Sequence, residues 1–517
     1  MPAEPIDAST NLADLLRRHP QIRRVLARHG LEGCGGGQGP SESLAFFARM
    51  HGIELGALIE DLRAEAAKPA VEQVVYRETL ADYIYRRFFK AGIAILLTVG
   101  GLWGAIALAE LATARTLGDI RLLATIHSHA HAMIFGWVGL FVMGFAYQSF
   151  PRFRMTRLWR PELANASFYL MLGGIGLRIG AEQLERGRAA LVLGGVSAGA
   201  ELAAIAIFLI VLRKTVGQSI GPRSPYEWFI AAGLGWFLAQ AAASSFFFFA
   251  KATAATATEL LRRVALFDPP LRDVQLLGFA ALMIAGVSQR FVPVVYGLPA
   301  PRHARPRELF WLMNGSLVLA VASFPLLDLY HRVIFASTLQ LAYLAMLGWA
   351  VLLIDQVGVF RHAAETDRSL KFIRAAYGWL ALSMLMLAAL PMYGISRGEP
   401  FSHAWWGAHR HAFTVGFVSM MIIGVSSRIV PILSGVKGEG LTRLWGPFLL
   451  LNLGCAGRVA LEVLTDFAPR AAYRWIGVTG FIEVAALAWW GVGMWRVMNL
   501  AKTHRASVLG SPARRAA

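Results

Sequence analysis

Two histidine pairs of the form His-x-His head long apolar segments of this 517-residue chain. The first pair is His129 and His131, and the second pair, 280 positions later, is His409 and His411. Imidazole inside an apolar helix bundle is a common ligand of haem iron and of copper. Side chains two positions apart on an α-helix point about 200° apart, so one helix can present ligands to two clefts. The pattern predicts a haem or metal centre, and interfacial histidines without metal are the alternative.

The segments that carry these pairs are copies of one another. Their sequences are IHSHAHAMIFGWVGLFVMGFAYQSFP from Ile126 and HRHAFTVGFVSMMIIGVSSRIVP from His409. A third copy, GFAALMIAGVSQRFVP, lies between them, with Leu271 and Asp273 in the places of the two histidines. Copies about 140 residues apart indicate an internal repeat. The chain is therefore predicted to contain three equivalent units.

Two arginine–glutamate pairs follow the same interval. Arg178 and Glu182 correspond to Arg458 and Glu462, again 280 positions apart. Each pair is spaced i,i+4, which places both side chains on one helical face. Charges inside a membrane are costly and are usually functional or paired. Each pair is either a structural ion pair, or it supplies an arginine that neutralises an anionic group such as a haem propionate.

Asp273 has a separate interpretation. It replaces a histidine of the other two units and follows Arg272 directly. An ionised aspartate in a dry membrane site is expensive, so it must be paired, protonated or wetted. Asp273 is therefore a candidate proton donor at a reactive centre, and a salt bridge with a nearby arginine is the alternative.

The composition indicates a polytopic membrane protein. Hydrophobic residues make up 56% of the chain and charged residues only 16%, and the mean hydropathy is +0.51. These values exclude an ordinary soluble enzyme. The formal charge of +18 is explained by basic cytoplasmic loops, and no nucleic-acid partner is expected. With only Cys34 and Cys455, a disulfide framework and a thiolate zinc site are excluded.

The predicted fold is an all-α bundle of twelve transmembrane helices within residues 76–500. Each candidate span has roughly 20–25 residues, enough to cross a bilayer. Arginine and lysine concentrate in the loops that share one side, which are 152–160, 213–223, 302–307, 361–374 and the tail 501–517. The positive-inside rule then places both termini in the cytoplasm of a bacterial inner membrane. The histidine-bearing ends of the second and tenth spans are predicted to lie near the periplasmic face.

Residues 1–75 are predicted to form a small soluble helical domain. Its glycine-rich stretch GLEGCGGGQGP, residues 30–40, permits a tight turn that would leave Cys34 approachable. This domain resembles the short Cys-Gly-Gly domain of iron–sulfur-cluster repair proteins, through GLEGCGGG and LAFFARMHGIELGALIEDL. That family has two adjacent cysteines, and here Gly33 replaces the first. Cys34 is accordingly a candidate metal ligand, with an incidental cysteine in a helix–loop–helix as the alternative.

Residues 85–500 resemble the NnrS family, membrane haem proteins linked to nitrosative stress. The similar segments are HAHAM from His129, GVSQRFVP from Gly286, HAFTVGFVSMMIIGVSSR from His411 and GRV around Arg458. A more distant resemblance is to the catalytic subunit of haem–copper oxidases and nitric-oxide reductases. The sixth and seventh spans lack the histidines of the oxidase copper site, so oxygen reduction is not expected.

The resemblance implies a set of ligands for haem of the b type. Carried over to this sequence, His129 and His411 would hold one haem, with Arg178 and Arg458 near its propionates. His409 would hold a second haem with an open coordination site. Asp273 would face that site as a proton donor, and His409 and Asp273 are the two catalytic candidates.

The remaining histidines at that end suggest copper as a second metal. His131 would face the third cleft, opposite Leu271, and His127 lies one turn before His131 on nearly the same face. His127 is therefore a candidate copper ligand together with His403. The full set of candidate metal-binding histidines is His127, His129, His131, His403, His409 and His411.

These features imply a protein of nitric oxide metabolism or nitrosative-stress defence. As an enzyme it would be an oxidoreductase acting on nitric oxide or a related nitrogen oxide, with an electron-donor protein or a quinol as partner. The alternative is a non-enzymatic protein that binds haem or nitric oxide, or handles metals to protect iron or copper pools. A proton-coupled transporter is a weaker alternative because the three-unit repeat is not an inverted pair.

Overall fold

The computed structural model describes residues 5–68, 78–114, 120–184, 187–219, 221–301, 303–399, 402–437 and 440–509. Apart from one isolated β-bridge between Asn11 and Ser43, every regular element in these ranges is helical. The predicted all-α class is confirmed. The predicted domain boundary at residues 75 and 76, and residues 510–517 of the predicted tail, lie outside the described residues.

The N-terminal residues form a small helical domain with its own apolar core. Its four α-helices are α1 Leu12–Arg18, α2 Arg23–Arg28, α3 Leu44–His51 and α4 Leu55–Ala66. The side chain of Asn11 caps α1 and that of Ser43 caps α3, satisfying amides that a helix start leaves unpaired. The core consists mainly of leucine side chains, together with Ile22, Val25, Cys34, Phe47 and Ala48.

Cys34 lies inside this core and is not approachable, contrary to the prediction from its glycine-rich surroundings. Its side chain is 5% exposed, and burial raises the pKa of the thiol to about 11. Gly35 and Gly36 do adopt the left-handed conformation that a tight turn requires. The glycine-rich pattern predicts the tight turn but not which of its side chains face the core. In the structure the turn directs Cys34 into the core.

In the described part of the chain, twelve long helices follow the N-terminal domain. They are α5 Leu80–Thr113, α6 Leu122–Phe153, α7 Pro161–Gln183, α8 Arg188–Val216, α9 Tyr226–Ala252, α10 Ala257–Tyr296, α11 Pro306–Tyr330, α12 Val333–Val357, α13 Leu370–Ala388, α14 His403–Leu433, α15 Trp445–Leu464 and α16 Pro469–Leu500. Eleven of these are long and apolar enough to cross a membrane. The twelfth, α7, has 23 residues and is less apolar because it carries Arg178 and Glu182.

The twelve helices form a closed ring of three four-helix units. The units are α5–α8, α9–α12 and α13–α16; α8 packs against α9, α12 against α13, and α16 against α5. The second helix of each unit, α6, α10 or α14, is the most buried helix of that unit. These three helices are the three sequence copies, so the internal repeat corresponds to an inner ring of helices.

Each inner helix contains an eight-residue π-helical segment at the same place. The segments are Ala132–Gly139, Val274–Ala281 and Ala412–Ser419. Each begins directly after the second position of the His-x-His pair or its counterpart Asp273. Such segments are rare and frequently occur at functional sites. The repeat therefore specifies a distorted helix as well as a pattern of residues.

Glycines within these segments allow neighbouring helices to approach closely. A Cβ atom at Gly136 would lie 2.6 Å from Ile95, and one at Gly416 would lie 2.5 Å from Trp379. The equivalent position in the middle unit, Gly278, would place its Cβ atom 2.9 Å from Leu317. At distances below 3 Å, a larger residue would require the facing side chain or its helix to shift.

The two ends of the bundle have different compositions. The end with the His-x-His pairs is called the histidine end, and the opposite end, where Pro151, Pro293 and Pro431 lie, is called the proline end. The N-terminal domain contacts the proline end: Arg152 donates to the carbonyl of Gly33 and Lys437 pairs with Asp14.

The basic loops predict which end faces the cytoplasm. Reporters fused to either terminus should give a cytoplasmic signal, and a reporter inserted at the exposed Gly398, at the histidine end, should give a periplasmic signal. The physical reason is the retention of arginine and lysine on the cytoplasmic side during insertion. Fusions that read out alkaline phosphatase and green fluorescent protein activity provide the measurement, and a cytoplasmic signal from Gly398 would contradict the predicted orientation.

Candidate functional site

The first histidine of each His-x-His pair is held by a backbone carbonyl on the first helix of its own unit. His129 Nδ1 lies 2.7 Å from the carbonyl oxygen of Gly100, and His409 Nδ1 lies 2.8 Å from that of Ser383. Because a carbonyl oxygen only accepts, the proton belongs on Nδ1 and the lone pair on Nε2. Metal-ligating histidines are oriented by such a contact. The same geometry occurs in both units, so His129 and His409 are both prepared to act as ligands through Nε2.

The second histidine of each pair contacts a glutamate on the fourth helix of its unit. His131 Nε2 lies 2.7 Å from Oε1 of Glu201, and His411 Nε2 lies 3.0 Å from both carboxylate oxygens of Glu483. Neither glutamate is among the residues predicted from the sequence. The signal that identifies them is the repeat itself, because AELAAIAI from Ala200 and IEVAALAW from Ile482 are equivalent segments.

Glycines on the third helices make room for these two glutamates. A Cβ atom at Gly174 would lie 2.7 Å from Cγ of Glu201, and one at Gly454 would lie 2.7 Å from Cγ of Glu483. Gly174 and Gly454 are themselves 280 positions apart. Histidine, glutamate and glycine therefore form the same three-helix arrangement in the first and third units.

The middle unit fills these positions with different chemistry. Asp273 replaces the second histidine, and Tyr343 replaces the glutamate in the equivalent segment AYLAMLGW. Both residues are buried, at 4% and 1% exposure, and they interact electrostatically. Within the described part of the chain, neither Asp273 Oδ2 nor the Tyr343 hydroxyl has a hydrogen-bond partner. In the middle unit the buried carboxyl group therefore lies on the second helix, whereas in the first and third units it lies on the fourth helix.

An ion-pair cluster lies near Asp273 at the histidine end. Asp268 pairs with Arg272 at 2.9 Å and with Arg410 at 3.2 Å. Asp273 lies within electrostatic range of Arg410, but the ion pairs of Arg272 and Arg410 are with Asp268. The contacts of His409 are with Ser383 and the Trp406 ring, so Asp273 and His409 share this region without a described contact.

The cleft between the first and second units contains a small polar cavity of about 10 Å³, room for about one water molecule. His131 and Leu271 both line it, as the symmetry of the repeat predicts. His127 lines it too, and its Nδ1 lies 2.7 Å from the Nζ atom of Lys251. Lys251 also donates to Glu182, at 2.8 Å and 3.0 Å. Lys251 is not among the residues predicted from the sequence. The one feature that could have identified it is its position as a positive charge directly after the apolar run SSFFFFA.

The two predicted arginine–glutamate pairs are present but differ in their surroundings. Arg178 lies 3.4 Å from Glu182, which Lys251 also neutralises, whereas Arg458 lies 3.1 Å from Glu462. In the third unit Gly407 replaces His127, and a Cβ atom there would lie 2.2 Å from Oε1 of Glu462. Glu462 therefore occupies space that His127 fills in the first unit.

Both arginines retain a donor for another group. Among the described residues, Arg178 Nη1 and Arg458 Nε have no hydrogen-bond partner, although both atoms are buried. The pairing with glutamate agrees with a structural role, and the unused donors agree with binding of an anionic group. The geometry therefore accommodates both interpretations.

The predicted copper ligands do not form a cluster. His403 is exposed at the start of α14, whereas His127 is buried against Lys251. Nowhere in the described ranges do three or more histidine, cysteine, aspartate or glutamate side chains form a group suited to a metal ion. Cys34 lies apart from the histidines, in the N-terminal domain at the proline end.

The unequal surroundings of the two glutamates give a testable difference. Glu182→Gln should lower the free energy of unfolding by about 3–5 kcal/mol, because it leaves two buried cations without their carboxylate. Glu462→Gln is the matched control and should cost less, since only Arg458 loses its partner. Thermal unfolding of the purified proteins in one detergent is the measurement. Equal losses of stability in the two variants would show that the ion pair of Lys251 with Glu182 does not add to the stability of the protein.

Comparison with known proteins agrees with this architecture. The model of the NnrS family, described as NnrS protein, matches residues 79–501. No curated protein matches the chain. The matched region begins just before α5 and ends with α16, so it comprises all three units and leaves out the N-terminal domain. The chain is a multi-pass membrane protein, and it belongs to the NnrS family.

Proposed function

We propose that this protein is a haem protein of the bacterial inner membrane that binds nitric oxide in defence against nitrosative stress. Membership of the NnrS family supports the link to nitric oxide. The observation that carries the haem assignment is the orientation of His129 and His409. Each has Nδ1 bound to a backbone carbonyl, which leaves Nε2 as the ligand atom.

The donor chemistry of the histidine end fits haem at two of the four paired histidines. His129 and His409 offer Nε2, whereas Nε2 of His131 and of His411 contacts a carboxylate. We therefore favour His129 and His409 as iron ligands over the combination of His129 with His411. Haem, when bound, supplies the iron that takes up nitric oxide. No covalent attachment motif is present, which favours the b type.

Other residues of the histidine end would position and neutralise the cofactor. Arg178 and Arg458 each retain a buried donor, and an arginine forms strong charge-assisted hydrogen bonds with a carboxylate such as a propionate. The contacts of His131 with Glu201 and of His411 with Glu483 fix two further imidazoles on the outer side of the inner helices. These pairs hold α8 against α6 and α16 against α14.

Asp273 and Tyr343 favour an enzymatic role over simple binding. Reduction of nitric oxide consumes protons, and these two buried side chains hold exchangeable protons at atoms without a partner among the described residues. The cluster of Asp268, Arg272 and Arg410 lies near Asp273 at the histidine end and is partly exposed. Electrons would come from a donor protein or from a quinol in the bilayer. A non-enzymatic binding protein requires neither residue.

The ligand assignment is tested by absorption spectra of purified variants. His129→Ala and His409→Ala should each reduce haem content, because each removes an imidazole with a free Nε2. His131→Ala and His411→Ala should retain haem, and His303→Ala, in an exposed loop at the proline end, is the neutral control. A loss of haem in His411→Ala as large as in His409→Ala would instead support His129 and His411 as the two ligands of one haem, as the family resemblance implies.

The role of Asp273 is tested separately from haem binding. Asp273→Asn keeps the size of the side chain and removes its acidic proton, so haem content should stay unchanged. Electron-donor-dependent loss of nitric oxide should fall by a factor of about 100, which is typical for removal of a proton-transfer group. Unchanged turnover would remove Asp273 from the mechanism, and an absence of turnover in the unmodified protein would favour the binding role.

A further inference from the structure

A second cavity lies on the pseudo-threefold axis, away from the histidines. It has a volume of about 80 Å³ and lies between the three inner helices, α6, α10 and α14. Equivalent positions of the three repeats form its wall. One layer consists of Phe141, Met283 and Met421, and the next layer consists of Phe145, Val287 and Val425.

The wall of this axial cavity is apolar. Among the described residues, its only polar side chains are those of Ser288 and Ser426, and the Ser426 hydroxyl already donates to the carbonyl of Ile422 at 2.5 Å. No charged side chain in the described part of the chain lines the cavity. A polar or charged molecule would lose its hydrogen bonds there, at a cost of several kcal/mol. The chemistry therefore selects small uncharged molecules of low polarity.

At about 80 Å³, the axial cavity has room for one small molecule such as a diatomic gas, and it is about half the size of a known ligand-binding apolar cavity. An engineered apolar cavity of about 150 Å³ in another protein stays dry and binds benzene or xenon. A gas molecule bound here would lie within the membrane part of the protein, toward the proline end of the inner helices. Charged lipid headgroups and soluble macromolecules are excluded by the same wall.

The N-terminal domain packs against the proline end of the helices that form this cavity. Phe46 of α3 is 5% exposed and packs into the apolar core of the membrane part, unlike the rest of its domain core. Its ring lies 4.5 Å from the guanidinium carbon of Arg428, the residue before the lining residue Ile429. Arg290, the residue before the lining residue Phe291, donates to the carbonyl of Met50 at 2.6 Å.

The rim of this contact is held by ion pairs. Asp14 pairs with Lys437 at 3.0 Å, and Arg49 pairs with Glu365. The members of these pairs are partly exposed, and such pairs typically contribute about 0–1 kcal/mol each. Phe46 is thus the main apolar anchor of the domain at this end of the inner helices.

We propose that the axial cavity binds small apolar gas molecules and that Phe46 closes its proline end. The proposal rests on the proposed function only for the identity of the physiological gas, nitric oxide. The cavity supplies a store of this gas inside the protein, next to the π-helical segments that follow the histidines. The N-terminal domain separates this store from the side of the membrane on which the domain lies.

Xenon is the probe for the cavity, since its binding requires neither haem nor nitric oxide. The structure of the full-length protein under xenon pressure should show xenon between Phe145, Val287 and Val425. Val287→Trp fills this space and should abolish the xenon signal, whereas Val318→Trp, which is exposed on α11, should not. An axial cavity without xenon, or one filled by a lipid acyl chain, would overturn the assignment.

Closure by Phe46 is tested with a cysteine in the cavity wall. Ser426→Cys, in a background with Cys34→Ser and Cys455→Ser, should react slowly with a thiosulfonate reagent added on the side of the N-terminal domain. Phe46→Ala should raise that rate severalfold. Ile53→Ala, a change within the core of the domain, is the matched control. An unchanged rate in Phe46→Ala would disprove the closure.

These experiments distinguish a failure of the cavity proposal from a failure of the proposed function. Xenon binding in a protein that contains no haem would retain the cavity and reject the proposed function. Haem binding without xenon would reject the cavity and retain the proposed function.

Discussion

A charged or polar side chain that is buried in a membrane bundle must find its partner on another part of the protein, because the lipid offers none. This constraint explains the histidine end. Glu201 of α8 is satisfied by His131 of α6, and Lys251 of α9 joins Glu182 of α7 to His127 of α6. Each such contact fixes the rotation of one helix against its neighbour. The polar groups that serve chemistry therefore also hold the ring of helices in register.

The threefold repeat supplies a scaffold on which the units diverge. Equivalent glycines and π-helical segments recur in all three inner helices, and they set the close packing around the axis. The chemistry lies in the departures from symmetry. His127 is replaced by Gly407 in the third unit, and the second histidine is replaced by Asp273 in the middle unit. The three clefts therefore have a similar backbone structure but are lined by three different sets of side chains.

The two ends of the bundle are connected by the same three helices. At the histidine end they carry the imidazoles and Asp273, and at the proline end they carry Arg290 and Arg428, which contact the N-terminal domain. The apolar axial cavity lies along them. A displacement of the N-terminal domain would be transmitted first to the inner helices, because Phe46 packs among the core residues to which those helices contribute. The family model begins at residue 79, so this domain is a feature of the chain beyond the shared architecture.

The sequence alone determined the all-α membrane fold, the three-unit repeat, the His-x-His pairs and the i,i+4 arginine–glutamate pairs. These features are local or periodic, so they can be read from spacing and hydropathy. Only the tertiary structure decided which ring nitrogen of each histidine contacts a hydrogen-bonding partner. The partners that decide it come from distant positions: Glu201 is 70 residues from His131, and Lys251 is 124 residues from His127. The burial of Cys34 and the separation of His403 from His127 have the same origin. Helix rotation and packing determine which side chains meet, and neither composition nor spacing along one helix contains that information.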